Sequence, residues 1–121
     1  MLYLIEGPTG SGKTRYLKAL GANQDNTLTT ESLWEQLLFI AKGFLTVEET
    51  AARLCHIEYV ENLESLRGRQ ATQTLTGQLL TRMARDRDVY VAGIDFENNL
   101  PFFLEALGEY EIRSPGFVDF P

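Results

Sequence analysis

The sequence predicts an α/β domain, a mostly parallel five-stranded sheet sandwiched between helices in three layers. Three observations carry that prediction. Short uncharged apolar runs alternate along the chain with longer segments of helical periodicity, the pattern of repeated β–α units. The first run, Leu2 to Ile5, leads into a glycine-rich turn that opens a helical segment. With 121 residues, 44% hydrophobic and 23% charged, the chain has the size and balance of one globular domain spanning residues 1–121.

Each element has its own signal. Leu2 to Ile5 reads as a strand buried on both faces, as a parallel sheet requires. Lys13 to Ala19 reads as a helix with Leu17 and Leu20 inward and Gly21 as its stop. Thr27 to Thr29 is a short strand. Glu31 to Lys42 is an amphipathic helix, because Leu33, Trp34, Leu37, Leu38 and Ala41 recur at helical spacing and Gly43 follows. Trp34 on that inward face reads as a core residue. Thr46 to Ala52 makes a further short helix, with Thr46 ahead of Glu48 and Glu49 in a capping arrangement.

Leu54 to Val60 is the third strand expected. Gln70 to Arg85 is a long helix with Leu75, Leu79, Leu80 and Met83 on one side, interrupted by Gly77. Val89 to Ile94 is the fourth strand. Leu100 to Leu107 reads as a helix with Pro101 in its first turn, where proline is tolerated. Phe117, Val118 and Phe120 form the expected last strand.

Composition narrows the function classes. A formal net charge of −6, from 11 Lys+Arg against 17 Asp+Glu, argues against autonomous binding of DNA or RNA. The arginines at 82, 85 and 87 are offset by Asp86 and Asp88. No run approaches the roughly 18 apolar residues of a membrane span, and the N-terminus lacks a basic signal-peptide region, so no membrane partner is expected. A single cysteine, Cys55, suits a reducing, cytoplasmic setting.

The most specific signal is Gly7-Pro8-Thr9-Gly10-Ser11-Gly12-Lys13-Thr14, which fits G-x-x-x-x-G-K-[ST] at every fixed position. Successive backbone N–H groups must turn inward around a phosphate, and Gly7, Gly10 and Gly12 permit the angles and close approach this needs. The following helix adds its positive end. Lys13 supplies a cation to the β- and γ-phosphates, and the Thr14 hydroxyl is a magnesium ligand. The expected cofactors are therefore ATP, or another purine nucleotide, and Mg²⁺. A random chain of this length would match the pattern well under about 1% of the time at ordinary residue frequencies.

P-loop enzymes place a carboxylate at the end of a second buried strand, near the magnesium shell. Glu58, after Leu54-Cys55-His56-Ile57, is one candidate for that metal-side and catalytic role, and Asp95, after the Val89 to Ile94 strand, is the other. Cys55 and His56 have no partners at ligand spacing and read as buried strand residues. Arg113 is either an arginine finger for a neighbouring subunit or a surface charge.

Beyond the loop, the order of segments resembles the AAA+ core of bacterial replication initiators of the DnaA type and their short regulatory relatives. Thr29-Thr30-Glu31-Ser32-Leu33 resembles the family's turn after the second strand. Cys55 to Leu63 resembles the Walker B strand and its following turn, and Val89 to Asp95 the sensor 1 strand. Gly116 to Pro121 is similar to the last strand of the core. The resemblance implies the strand order 5-1-4-3-2 and action through a protein partner or a homo-oligomer in DNA replication or mobile-element maintenance.

The departures from the family bear on hydrolysis. On this alignment Glu58 takes the place of the magnesium-side aspartate and Tyr59 that of the acid orienting the attacking water. A phenol with a pKa near 10 cannot take that proton at neutral pH. Glu61 would substitute only if the turn were shifted. The family's lid and DNA-binding domain have no counterpart in these residues. The expectation is an ATP-binding module with weak or absent hydrolysis. A small P-loop kinase is the alternative, with Glu58 or Asp95 as base, and a degenerate scaffold is the third reading.

Overall fold

The first strand, β1 (Leu2–Glu6), lies between two strand neighbours with helices packed on both faces of the sheet, and Leu2, Leu4 and Ile5 are at most 1% exposed. A computed structural model of the chain describes residues 1–63, 66 and 69–115. Along it follow α1 (Lys13–Leu20), β2 (Thr27–Leu28), α2 (Thr30–Ala41) and α3 (Val47–Arg53). Then come β3 (Tyr59–Val60), α4 (Gln70–Met83), β4 (Val89–Gly93), α5 (Phe96–Asn99), α6 (Pro101–Glu105) and β5 (Tyr110–Arg113). The strands form one sheet in the order β2-β3-β4-β1-β5, and every neighbouring pair is parallel. That is the order the resemblance implies.

Side-chain alternation gives the sheet two unlike faces. Leu2, Leu4, Val60, Val89 and Val91 turn to a face where α2, α3, α4 and α6 deliver Leu33, Leu37, Ala51, Leu79, Leu80, Met83 and Phe103. Each of these side chains larger than alanine contributes about 1.5–3 kcal/mol on burial. Ile5, Tyr59 and Ala92 turn to the other face, where α1 supplies Leu17. Leu20, expected inward, is 40% exposed.

Local chemistry explains the helix boundaries. Thr46 and Glu49 form a reciprocal capping box at α3, and Thr29 caps α2 through the Ser32 N–H at 3.1 Å. Gly77 has a packing reason: a methyl there would come 2.7 Å from the Ala106 side chain and 2.8 Å from the Phe103 carbonyl. Buried Gln73 ties the same two segments, its Oε1 accepting the Phe102 N–H at 3.1 Å.

Two expectations need correcting. The third strand does not run from Leu54 to Val60; only Tyr59 and Val60 pair, while Leu54 and Ile57 reach the core from a hydrogen-bonded turn after α3. That turn is clamped by Arg87, whose guanidinium donates to the Ile57 carbonyl at 2.7 Å and the Leu54 carbonyl at 2.6 Å. Cys55 and His56 are therefore exposed, not buried in a strand. The fifth strand is Tyr110 to Arg113; Phe117, Val118 and Phe120 lie outside the described residues. The Leu100 to Leu107 segment is the shorter α6, preceded by the single turn α5.

Candidate functional site

All five strands point the same way, so the carboxyl ends of β1, β3 and β4 share one end of the sheet, where ligands of open α/β sheets bind. The Gly7–Thr14 segment leaves β1 at this end. The Gly7 N–H donates to the Gly93 carbonyl at 3.2 Å, which carries the β1–β4 ladder into the loop. Gly10 at φ 82° and Gly12 at φ 95° occupy the left-handed region that other residues rarely adopt. Helix α1 then begins at Gly12 without a side-chain cap, so its positive end faces the loop. A methyl at Gly7 would collide with Ser11 Oγ, and that hydroxyl is buried with no partner among the described residues.

Lys13 is turned into the loop rather than out to solvent. It is 5% exposed, and its Nζ donates to the Gly7 carbonyl at 2.5 Å and the Pro8 carbonyl at 2.9 Å. A buried ammonium needs such acceptors. Anionic phosphate oxygens would make stronger ones, because both partners are then charged.

Thr9, Gly10, Gly12, Lys13 and Thr14 line a cleft of about 360 Å³, and Asn62 closes it from across the sheet. Asn62 follows β3 by two residues, and its backbone carbonyl accepts the Thr30 hydroxyl at 3.0 Å. Its Oδ1 is buried with no partner among the described residues. An unsatisfied buried acceptor costs about 1–3 kcal/mol. Sequence reasoning passed over Asn62 because it searched for carboxylates. Its position two residues beyond an apolar pair was the available signal.

The two expected carboxylates are placed differently. Glu58 precedes β3: its carbonyl accepts the Tyr90 N–H at 2.8 Å, level with the start of β4. It is exposed and lies at the opposite end of the sheet from the loop, so the structure does not bring it to Lys13 and Thr14. The cause is the short β3, which begins one residue after Glu58. Asp95 does reach the loop end, where it lines a second hollow of about 300 Å³ with Glu6, Gly7 and Pro8. Its carboxylate, however, caps α5, accepting the Asn98 side-chain amide at 2.8 Å, and its backbone holds φ 41°. Glu6 accepts the Phe96 N–H at 2.8 Å. Glu61 is exposed and does not line the cleft.

No protein-family model and no curated protein matches this chain.

The remaining candidates have structural partners. Tyr59 is 3% exposed and its hydroxyl donates to the Leu20 carbonyl at 2.9 Å. Burial, with the Glu58 charge adding, pushes its phenol above the usual range. Arg113 lies over the Tyr3 ring at 4.3 Å and donates to the Tyr16 hydroxyl at 3.3 Å. Arg82 is bridged to Glu48 and Asp86. Trp34 packs against the main core with Arg69 4.9 Å above its ring. Among the described residues no three His, Cys, Asp or Glu side chains cluster as a metal site, and no helix is long and apolar enough to cross a membrane.

Proposed function

We propose that this chain is a nucleotide-binding module with the three-layer α/β/α P-loop fold, taking ATP or a related purine nucleotide with magnesium. One observation carries the reading. Two left-handed glycines and a buried lysine line a cleft with an exposed threonine, Thr14, at the carboxyl end of a parallel sheet. The chemistry fits a polyphosphate. The loop presents backbone donors and an ammonium, and Thr14 Oγ1 offers a magnesium ligand. The magnesium ion would supply charge neutralisation on the phosphate oxygens.

Hydrolysis is slow or absent in this reading, because among the described residues no carboxylate lines the cleft to orient and deprotonate water. The AAA+/DnaA-like character, and action through a protein partner or a second copy in DNA replication or mobile-element maintenance, rest on the resemblance alone. A kinase is the weaker reading. Of Arg82, Arg85 and Arg87, the arginines a kinase would need to clamp phosphate, Arg82 is engaged with Glu48 and Asp86, and Arg87 with backbone carbonyls.

Calorimetric titration with ATP, GTP and ADP in magnesium tests the proposal. Binding is expected for the wild type, with affinity lowered by about a hundredfold in Lys13→Ala as a charge-assisted contact is lost. Turnover below about one per minute is expected where no finger or base assists the chemistry. Unchanged affinity in Lys13→Ala would sink the reading, and a fast basal ATPase would reject its non-hydrolytic part.

A further inference from the structure

We infer that two copies of this chain join through β5, pairing antiparallel about a twofold axis at Ile112 so that one sheet runs through both. Among the described residues β5 has a single strand neighbour, β1, and its outer edge is unpaired. The two edges of the sheet are built differently. β2 is only two residues long, a blunted edge. β5 has four residues, Tyr110–Arg113, with no proline or lysine to discourage another strand. It is also uncovered on both faces. Tyr110 and Ile112 lie beside Leu2 and Leu4 of the main core, yet they are 38% and 46% exposed, and Glu111 on the opposite face is exposed as well. The helices that bury Leu2 and Leu4 therefore stop short of β5.

The order of side chains along the strand selects a second copy as the partner. Glu111, Ile112 and Arg113 read acid, apolar, base. Reversing the strand about Ile112 sets each Glu111 opposite the other copy's Arg113, and Ile112 meets its own counterpart on the apolar face. Opposite charges directly across an antiparallel pair stabilise it, and like charges do the reverse. Sliding the pairing one pleat either way sets Glu111 against Glu111 or Arg113 against Arg113, so the charges fix the register too. A pairing centred on one residue closes its ladder whichever alternate residues of β5 point their N–H and C=O outward. Arg113 is already held on the correct face, over the Tyr3 ring at 4.3 Å and 3.7 Å from Glu111 of its own strand. Each copy carries a net charge of −6, which opposes indiscriminate association and leaves local complementarity to decide it.

The inference does not depend on nucleotide binding, and it is tested on the full chain in nucleotide-free buffer. Sedimentation velocity at micromolar to submillimolar protein should show a monomer–dimer equilibrium, weak because a four-residue edge makes a small interface. Glu111→Arg and Arg113→Glu, each alone, set like charges across the axis and are expected to weaken the dimer by about tenfold. An equimolar mixture of the two variants restores both opposite-charge pairs in a heterodimer and should recover the wild-type affinity. A wild type that stays monomeric overturns the inference, whether its β5 edge is bare or covered within the same copy. So do single variants that dimerise as tightly as the wild type, or a mixture no tighter than its components. Should Arg113→Glu fail to fold by thermal melting once its contact with Tyr3 is lost, Ile112→Lys decides the matter. That exposed position would bring two ammonium groups together at the axis: a weakened dimer supports the inference and an unchanged one overturns it.

Discussion

The two faces of the sheet do different work. On one, side chains from α2, α3, α4 and α6 close over Leu2, Leu4, Val60, Val89 and Val91 in a continuous apolar core. On the other, α1 covers Ile5, Ala92 and Tyr59 mainly through Leu17. There Tyr3, Tyr90 and Tyr59 stack in a row across the strands, with centroids 4.8 and 5.5 Å apart. Arg113 closes the row at Tyr3. Stability is therefore concentrated on the face away from α1, while the helix that follows the Gly7–Thr14 loop has the lighter attachment. Sites that must adjust around a ligand belong at the low end of local stability.

Substitutions can break or sharpen this contrast. The largest loss is expected from Phe103→Ala, about 3–5 kcal/mol, since it empties a fully buried site on the main core. Leu17→Ala on the α1 face should cost less, about 2 kcal/mol, because the neighbouring cluster is small and can collapse. Denaturant melts of the two variants decide: equal losses would show that the faces are equally stabilising. Gly77→Ala should cost about 1–2 kcal/mol by wedging α4 from the segment carrying Phe103 and Ala106.

The smallest effect concerns pH. Burial raises the phenols of Tyr59 and Tyr90 above their ordinary value, so the fold favours their neutral forms. The stability they contribute is complete below the unfolded pKa near 10 and is lost as pH rises through the folded value. Alkaline titration of the wild type against Tyr59→Phe with Tyr90→Phe should show the steeper loss in the wild type above about pH 10. Matching curves would detach the tyrosine row from the stability of this face.

Strong periodicity and steric demands were readable without coordinates. β1, β4 and the five longer helices lie within two residues of the expected bounds wherever one apolar stripe or run was unambiguous. The glycines at 10 and 12 were legible because few other residues tolerate their backbone angles. What misled was a reading of apolar runs as strands. Leu54 and Ile57 serve the core from a turn, which displaced the third strand and carried Glu58 to the far end of the sheet. Tyr110 to Arg113 escaped notice for the opposite reason: an edge strand is exposed and mixes Glu111 and Arg113 with Tyr110 and Ile112. Asn62 carries no charge and no titration, so only its placement marks it.

A strand of two residues has too few ladder bonds to index itself, and Arg87 supplies what β3 lacks. Its rigid fork spans the carbonyls of Leu54 and Ile57 and acts as a depth stop beneath the strand. Because Asn62 emerges five residues after Ile57, a guanidinium at the remote pole of the sheet governs how far an amide projects toward the opposite one. A lysine there, a single point charge without the fork, would leave that reach unmetered.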